Sequence, residues 1–263
     1  MRLFDTHGHL TDAAFAEDRE DVIGRLRQAG VELAMVVADP CEAEPNQAAA
    51  LKLIREYPFL YGAIGVHPQN ADRYCEETED MLREYLAMPG FVCLGEIGLD
   101  YHFDDAPDRA VQREVFRRQL LLAGELGKPV ELHIRDAHGD AMEITREMYR
   151  DNALPVCVMH CYSGSWESAQ AYMAMGMYIS FSGSVTFKNA PRLKEVAANM
   201  PSDRLLVETD CPYMAPVPLR GRRNEPAFVA HTAACIAELR GMDPERLAQQ
   251  AFENGMRVFG IKA

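Results

Sequence analysis

The sequence predicts an α/β fold, a single-domain (β/α)8 TIM barrel spanning residues 1–263. Three observations carry that expectation. Eight short apolar runs of strand character begin near Leu3, Leu33, Leu60, Phe91, Val130, Val156, Tyr178 and Leu205. They lie about 20 to 40 residues apart, as βα units require. The first run ends in His7-Gly8-His9, whereas an open doubly wound sheet usually carries a glycine-rich phosphate loop there.

The intervening segments read as helices. Between the first two strands, Glu17 to Gln28 sets Val22, Ile23, Leu26 and Ala29 on one face and stops at Gly30. Between the fourth and fifth, Asp108 to Leu126 places Val111, Val115, Leu122 and Leu126 in register and stops at Gly127. Ala141, Ile144 and Met148 mark a helix after the fifth strand, and helices around Ala227 to Leu239 and Pro244 to Val258 close the chain. No Pro/Gly/Ser-rich tract divides it.

Composition narrows the functional classes. With 263 residues and 48% hydrophobic content, a large core is available. No run approaches the ~20 apolar residues of a membrane span, and no basic-then-apolar leader opens the chain, so a cytoplasmic protein is expected. The seven cysteines (Cys41, Cys75, Cys93, Cys157, Cys161, Cys211, Cys235) make an odd count without CxxC, which fits reduced thiols, with Cys93 and Cys157 in the core. A net charge of −13 argues against a protein that coats nucleic acid, but not against local grip on phosphates.

Six residues at or just past strand ends organise the rest: His7, His9, Glu96, His133, His160 and Asp210. Barrel strands point their C-terminal ends at one face, where active sites form. Four imidazoles and two carboxylates there read as a metal site. Nitrogen and oxygen donors without thiolate suit Zn, Mn, Fe, Ni or Mg. Six donors exceed what one tetrahedral ion uses, so two divalent ions per subunit sharing a carboxylate are expected. Glu96 is the candidate bridge, and Asp210 the candidate ligand that also accepts the proton of an attacking water. Unrelated core histidines and surface acids would not gather at one end of a barrel. Asp5, Glu131 and Glu208 share a strand side with His7, His133 and Asp210, and are expected to orient histidines or to bond one another inside the barrel.

Substrate contacts are expected from His67 in Gly65-Val66-His67-Pro68, from Arg135 and Asp136 after His133, and from Ser163-Gly164 after His160. Asp136 reads equally as the N-cap of the next helix. The loop Pro216 to Pro226 concentrates Arg220, Arg222 and Arg223, a basic stretch suited to phosphate, with Arg223 the chosen contact. His102, His138 and His231 read as structural or surface residues.

The stretches FDTHGHL, GVHP, GEIGLDYH, ELHIRDA, HCYSG, ISFSG-VTFKNA, ETDCPYMAPVP and RGRRNEP, with Asn254 and Phe259-Gly260 in the last helix, strongly resemble the TatD family of metal-dependent deoxyribonucleases, in the amidohydrolase-like barrel group. The resemblance covers essentially the whole chain. It implies metal binding by His7, His9, Glu96, His133, His160 and Asp210, with Mg, Mn or Zn as cofactor. It also implies phosphodiester hydrolysis, often 3′-to-5′ removal of nucleotides from single-stranded DNA. Oligomeric state is left open by the sequence, with a monomer as the default and no membrane partner expected. Gln69 stands where many members have a second histidine, Leu219 and Arg222 replace a frequent histidine and lysine, and Gly8 stands where cysteine is common. Relatives that resemble proofreading enzymes leave ester cleavage on D-aminoacyl-tRNA as an alternative. A non-catalytic metal-binding scaffold is the reading from a different class.

Overall fold

Apolar runs and amphipathic segments alternate along the chain, and so do the elements they form. The computed structural model describes residues 1–42, 44 and 46–262. Its elements are β1 (Leu3–Asp5), α1 (Arg19–Gln28), β2 (Val31–Ala38), α2 (Gln47–Glu56), β3 (Leu60–Ile64), α3 (Glu76–Ala87), β4 (Phe91–Asp100), α4 (Arg109–Leu126), β5 (Val130–Arg135), α5 (His138–Arg150), β6 (Cys157–Met159), α6 (Trp166–Ala174), β7 (Tyr178–Phe181), α7 (Pro191–Asn199), β8 (Leu205–Val207), α8 (Val229–Leu239) and α9 (Pro244–Val258).

The eight strands are parallel and ordered β1 to β8 around one sheet. Closure comes from backbone just beyond β1 and β8. Thr6 N–H donates to Val207 O at 3.2 Å, Asp210 N–H to His7 O at 3.0 Å and His9 N–H to Cys211 O at 2.8 Å. A closed barrel leaves no unpaired edge, and here closure also seats the His7–His9 segment beside Asp210.

Strand periodicity divides the apolar side chains into two layers. Phe4, Met35, Val37, Ala63, Cys93, Val158, Tyr178 and Leu206 form one cluster with Phe252, Val258, Phe259 and Ile261 from α9 and the segment after it. Their strand neighbours, including Leu3, Val36, Ile64, Leu94 and Val130, pack with helix residues such as Val22, Leu26 and Phe116.

Helix α4 departs from its expected face. Val111 is exposed, while Gln112 and Gln119 are buried beside Val115, Phe116 and Leu120. Seven residues apart, these glutamines sit two turns apart on one face and reach two strand ends. Gln119 Oε1 accepts from Val66 N–H at 2.8 Å and Nε2 donates to Val66 O at 3.0 Å. Gln112 Oε1 accepts from Asp100 N–H at 2.8 Å and Nε2 donates to Asp100 O at 2.9 Å. The ends of β3 and β4 are thereby pinned from outside the barrel.

Candidate metal centre

Strand β4 is longer than the sequence suggested: Glu96 lies inside it, and the strand runs on to Asp100. Gly98, at φ 149°, faces His133 across the β4–β5 register, and any Cβ there would overlap the His133 carbonyl. That close approach, which only glycine permits, gathers Glu96, Asp100 and His133. His160 follows β6 directly, while His7, His9 and Asp210 sit on the segments that close the barrel.

All six sequence-derived candidates meet at this mouth, with Glu96 at the centre. Its carboxylate oxygens face His133 Nδ1 at 2.6 Å, His160 Nε2 at 3.0 Å, His7 Nε2 at 3.6 Å, and His9 and His67 Nε2 at 3.9 Å each. Asp210 Oδ1 lies 3.5 Å from His9 Nε2. Donor atoms fall within 4.8 Å of one another in His7–His9–Glu96, in Glu96–His133–His160 and in His7–His160–Asp210. Glu96 thus belongs to two donor triads at once.

Carboxylates behind the rings set their orientation. Glu131 Oε2 lies 3.2 Å from His7 Nδ1, and Glu208 Oε1 lies 2.9 Å from His160 Nδ1. Glu131 bonds the Nδ1 of His7, Glu208 lies in ion-pair range of the Nδ1 of His160, and both rings turn Nε2 toward the centre. The expected strand-mates differ: Glu131 serves His7 rather than His133, because its neighbour across the barrel is closer than its neighbour along the strand. Asp5 touches no histidine nitrogen within hydrogen-bond range. Its oxygens accept from Thr209 N–H and Thr209 Oγ1, both at 2.7 Å, tying β1 to the segment after β8. Burial, against the Thr209 bonds, lifts the Asp5 carboxyl to about 8.

The charge pattern fits cations. Burial disfavours charge on Glu96, yet His160 and His133 hold its carboxyl well below the usual range. Burial likewise opposes charge on Asp210, and His9 and His160 bring it below its ordinary value. Burial lowers His160, but Glu208 and Glu96 overcome it and push the imidazole well above 6.5. The buried His7 Nε2 has no hydrogen-bond partner. A buried imidazole nitrogen aimed at a carboxylate and left unpaired is what a metal ligand looks like, so the residues present fit divalent ions.

A cavity of about 670 Å³ opens over this centre. Among its walls are His67, Arg135 and Ser163, as expected from the sequence. His67 caps the turn Pro68–Arg73, and Gln69 N–H donates to its Nδ1 at 3.2 Å. With Nδ1 accepting that bond, the neutral ring carries its proton on Nε2, facing Glu96. Burial and the neighbouring His133 push His67 down to about 3, so the ring is neutral.

Two expectations are corrected. Arg223 does not line the cavity: Nη1 and Nη2 each lie 2.7 Å from Asp18, Nη1 donates to Ala14 O at 2.6 Å, and the guanidinium covers Phe15. Its charge is tied to α1's entry, beside an Arg25–Glu225 pair at 2.7 Å. Asp136 is neither helix cap nor cavity wall: Ala137 holds the cap position, and Asp136, at φ 54°, pairs with His102 at 2.8 Å. Asp100 was missed. Its Oδ2 lies 3.2 Å from His133 Nε2 and 3.1 Å from Gln69 Nε2. Even spacing from Glu96 along one run, four residues on, was the available signal. Gly8 sits close to Cys211, where a Cβ would lie 3.0 Å from Sγ.

A parallel eight-stranded barrel with histidines and carboxylates at its C-terminal mouth defines the class of metal-dependent barrel hydrolases. Comparison with known proteins narrows the class. The TatD related DNase family matches residues 4–260, and this chain belongs to it. It is 45% identical over 260 residues to the uncharacterized metal-dependent hydrolase YabD of Bacillus subtilis, covering 98% of this chain and 99% of that protein. It is 36% identical over 265 residues to the 3′-5′ ssDNA/RNA exonuclease TatD of Escherichia fergusonii, covering 98% and 99%. The crystal structure of YJJV, a TatD homolog from Escherichia coli, superposes with a TM-score of 0.90 at 32% identity over 99% of each chain. The chain is a metal-dependent hydrolase of the TatD family. No helix among the described residues is long and apolar enough to cross a membrane.

Proposed function

We propose that this chain is a 3′-5′ exodeoxyribonuclease of single-stranded DNA, a single barrel domain that works in the cytoplasm as a monomer with two divalent ions, Mg, Mn or Zn. The observation that carries the reading is the membership of Glu96 in two donor triads beneath a cavity wide enough for a nucleotide. His7, His9, Glu96, His133, His160 and Asp210 would hold the ions, with Glu96, a member of two triads, the carboxylate they would share. Ions bound there would supply a more acidic water and offset charge on the phosphoryl oxygens.

The remaining work falls to the protein's side chains. Asp210 lines the cavity and takes the proton of the water that attacks phosphorus. His67 Nε2–H donates to a phosphoryl oxygen as a neutral group, which stabilises developing charge without competing for metal. Arg135 donates to a phosphate, and Ser163 contacts the substrate beside it. The new P–O bond forms as the bond to the upstream 3′ oxygen breaks, and that oxygen leaves with a proton from solvent. The name of the Escherichia fergusonii relative, a 3′-5′ ssDNA/RNA exonuclease, supports this choice of substrate.

The test is a metal add-back assay on chelator-stripped protein with 5′-labelled single-stranded DNA and Glu96→Ala as control. A metal-dependent ladder shortening from the 3′ end, absent in the variant, is expected. Bound metal without cleavage would reject the nuclease reading and direct the next assay to aminoacyl-tRNA esters.

A further inference from the structure

Two aromatic side chains stand exposed at the cavity mouth. Phe103, after β4, is 44% exposed, and Tyr213, after β8, is 56% exposed. Both line the same cavity. Strands β4 and β8 are four apart in a closed ring of eight, so these residues rise from opposite sides of the barrel, with Glu96 on β4 and Asp210 just after β8. Soluble proteins seldom leave such rings uncovered beside a site without using them.

The surroundings of the two rings differ in charge. The Arg135 guanidinium lies 5.0 Å from the Phe103 ring centroid. Among the described residues, Arg135 is the one lysine or arginine lining the cavity, and its recorded contact is with the Phe103 ring. Tyr213 has acidic company: its hydroxyl donates to Asp12 Oδ2 at 3.4 Å, and Asp12, Glu42 and Asp39 line the cavity too. Its ring centroid lies 6.1 Å from that of His9, next to the donor cluster.

We propose that Phe103 with Arg135, and Tyr213 across from them, clamp the two unpaired bases that flank the scissile phosphodiester. The upstream strand enters over Phe103 and Arg135, and the terminal nucleoside lies against Tyr213. This rests on the exonuclease reading and adds the basis of its strand selectivity and end requirement. A base held against an aromatic face must be free of its complement, so the clamp selects single strands. Arg135 offers its cation to the phosphates of the continuing chain. The carboxylates beside Tyr213 repel a further phosphate, so the strand has to end there with a hydroxyl.

The experiment pairs enzyme variants with substrate deletions, using metal-loaded protein and single-stranded oligonucleotides. The oligonucleotides carry a normal end, an abasic penultimate nucleotide, an abasic terminal nucleotide or a 3′-phosphate. Phe103→Ala is expected to lower kcat/KM roughly ten-fold on the normal strand, the scale of one lost stack, and chiefly through KM. The penultimate abasic site should cost the wild-type protein a similar factor and cost Phe103→Ala nothing more. Tyr213→Ala should show the same coupling with the terminal abasic site. The 3′-phosphate should slow the wild-type protein at least ten-fold, with partial recovery in Asp12→Asn. Losses that multiply independently, or equal rates on hydroxyl and phosphate ends, would overturn the clamp while leaving the exonuclease in place. Failure of the wild-type protein to shorten any strand, despite bound metal, would overturn both.

Discussion

Asp100 Oδ2 lies 3.2 Å from His133 Nε2, while the other nitrogen of that ring lies 2.6 Å from Glu96 Oε1. Asp100 therefore holds one edge of the imidazole so that the opposite edge meets the central carboxylate. Gln69 Nε2 and His102 N–H donate to Asp100 in turn, at 3.1 and 3.0 Å. Although burial disfavours charge on Asp100, the bonds from His133 and His102 hold its carboxyl down at about 2.

Asp100→Asn should weaken metal binding by roughly 10- to 100-fold, the usual effect of removing a partner behind a ligand. Calorimetric titration of stripped protein with Mn or Zn checks this, with circular dichroism as the control for folding. Wild-type affinity in the variant would show that Asp100 does not orient His133.

Glu96→Gln removes the charge that five imidazoles face. Hydrolysis should fall by more than the roughly 100-fold upper range of an outer partner, and bound metal per chain should drop. Thermal melts of the stripped proteins should stay close to each other. Full metal content with full activity would remove Glu96 from the centre.

Metal affinity should weaken as pH falls. In the metal-free protein, burial pushes His160 and His133 down, but the facing carboxylates prevail and both imidazoles sit above their ordinary value. A bound ion must displace those protons, so uptake releases them and becomes less favourable in acid. Titrations in buffers of different ionisation enthalpy, between about pH 8 and about pH 6, measure the release. Binding with no proton exchange would contradict the protonated state.

Arg223→Ala should lower thermal stability without a selective loss of DNA affinity, because the guanidinium is bound to Asp18 and Ala14. The Arg223 bond is the largest cause holding the Asp18 carboxyl at about 2 instead of 3.8. A depressed carboxylate stabilises the fold above its unfolded value, and that contribution disappears as pH falls through the folded value. The melting-temperature gap between wild type and variant should be full above about pH 4 and close toward about pH 2. Salt-dependent loss of DNA binding at unchanged stability would return Arg223 to the substrate.

Gln119→Leu should destabilise the protein by about 2 to 6 kcal/mol, since Val66 N–H and C=O would both lose their partner while buried. His67 follows Val66, so catalysis should fall along with stability. Denaturant unfolding and kcat measured together separate this from a merely local change. An unaffected midpoint would mean that water replaces the glutamine.

The sequence by itself determined the barrel, the start of each strand to within a residue or two, and the six residues that meet at its mouth. Each follows from local rules: apolar runs set strands, their spacing sets helices, and barrel topology sends strand ends to one face. It also placed His67, Arg135 and Ser163 at the cavity, because each adjoins a strand end. Tertiary structure decided which groups are partners. Glu131 serves His7 from four strands away, and Asp100 and His133 meet because Gly98 lets β4 approach β5. Gln112 and Gln119 read as polar residues on a helix, yet burial makes them clips for two strand ends. Arg223 reads as a free cation until closure of the barrel brings Asp18 within 2.7 Å. Chemistry borne by one side chain is visible in the chain's order, whereas the pairing of charges and hydrogen bonds depends on distances that only the closed fold sets.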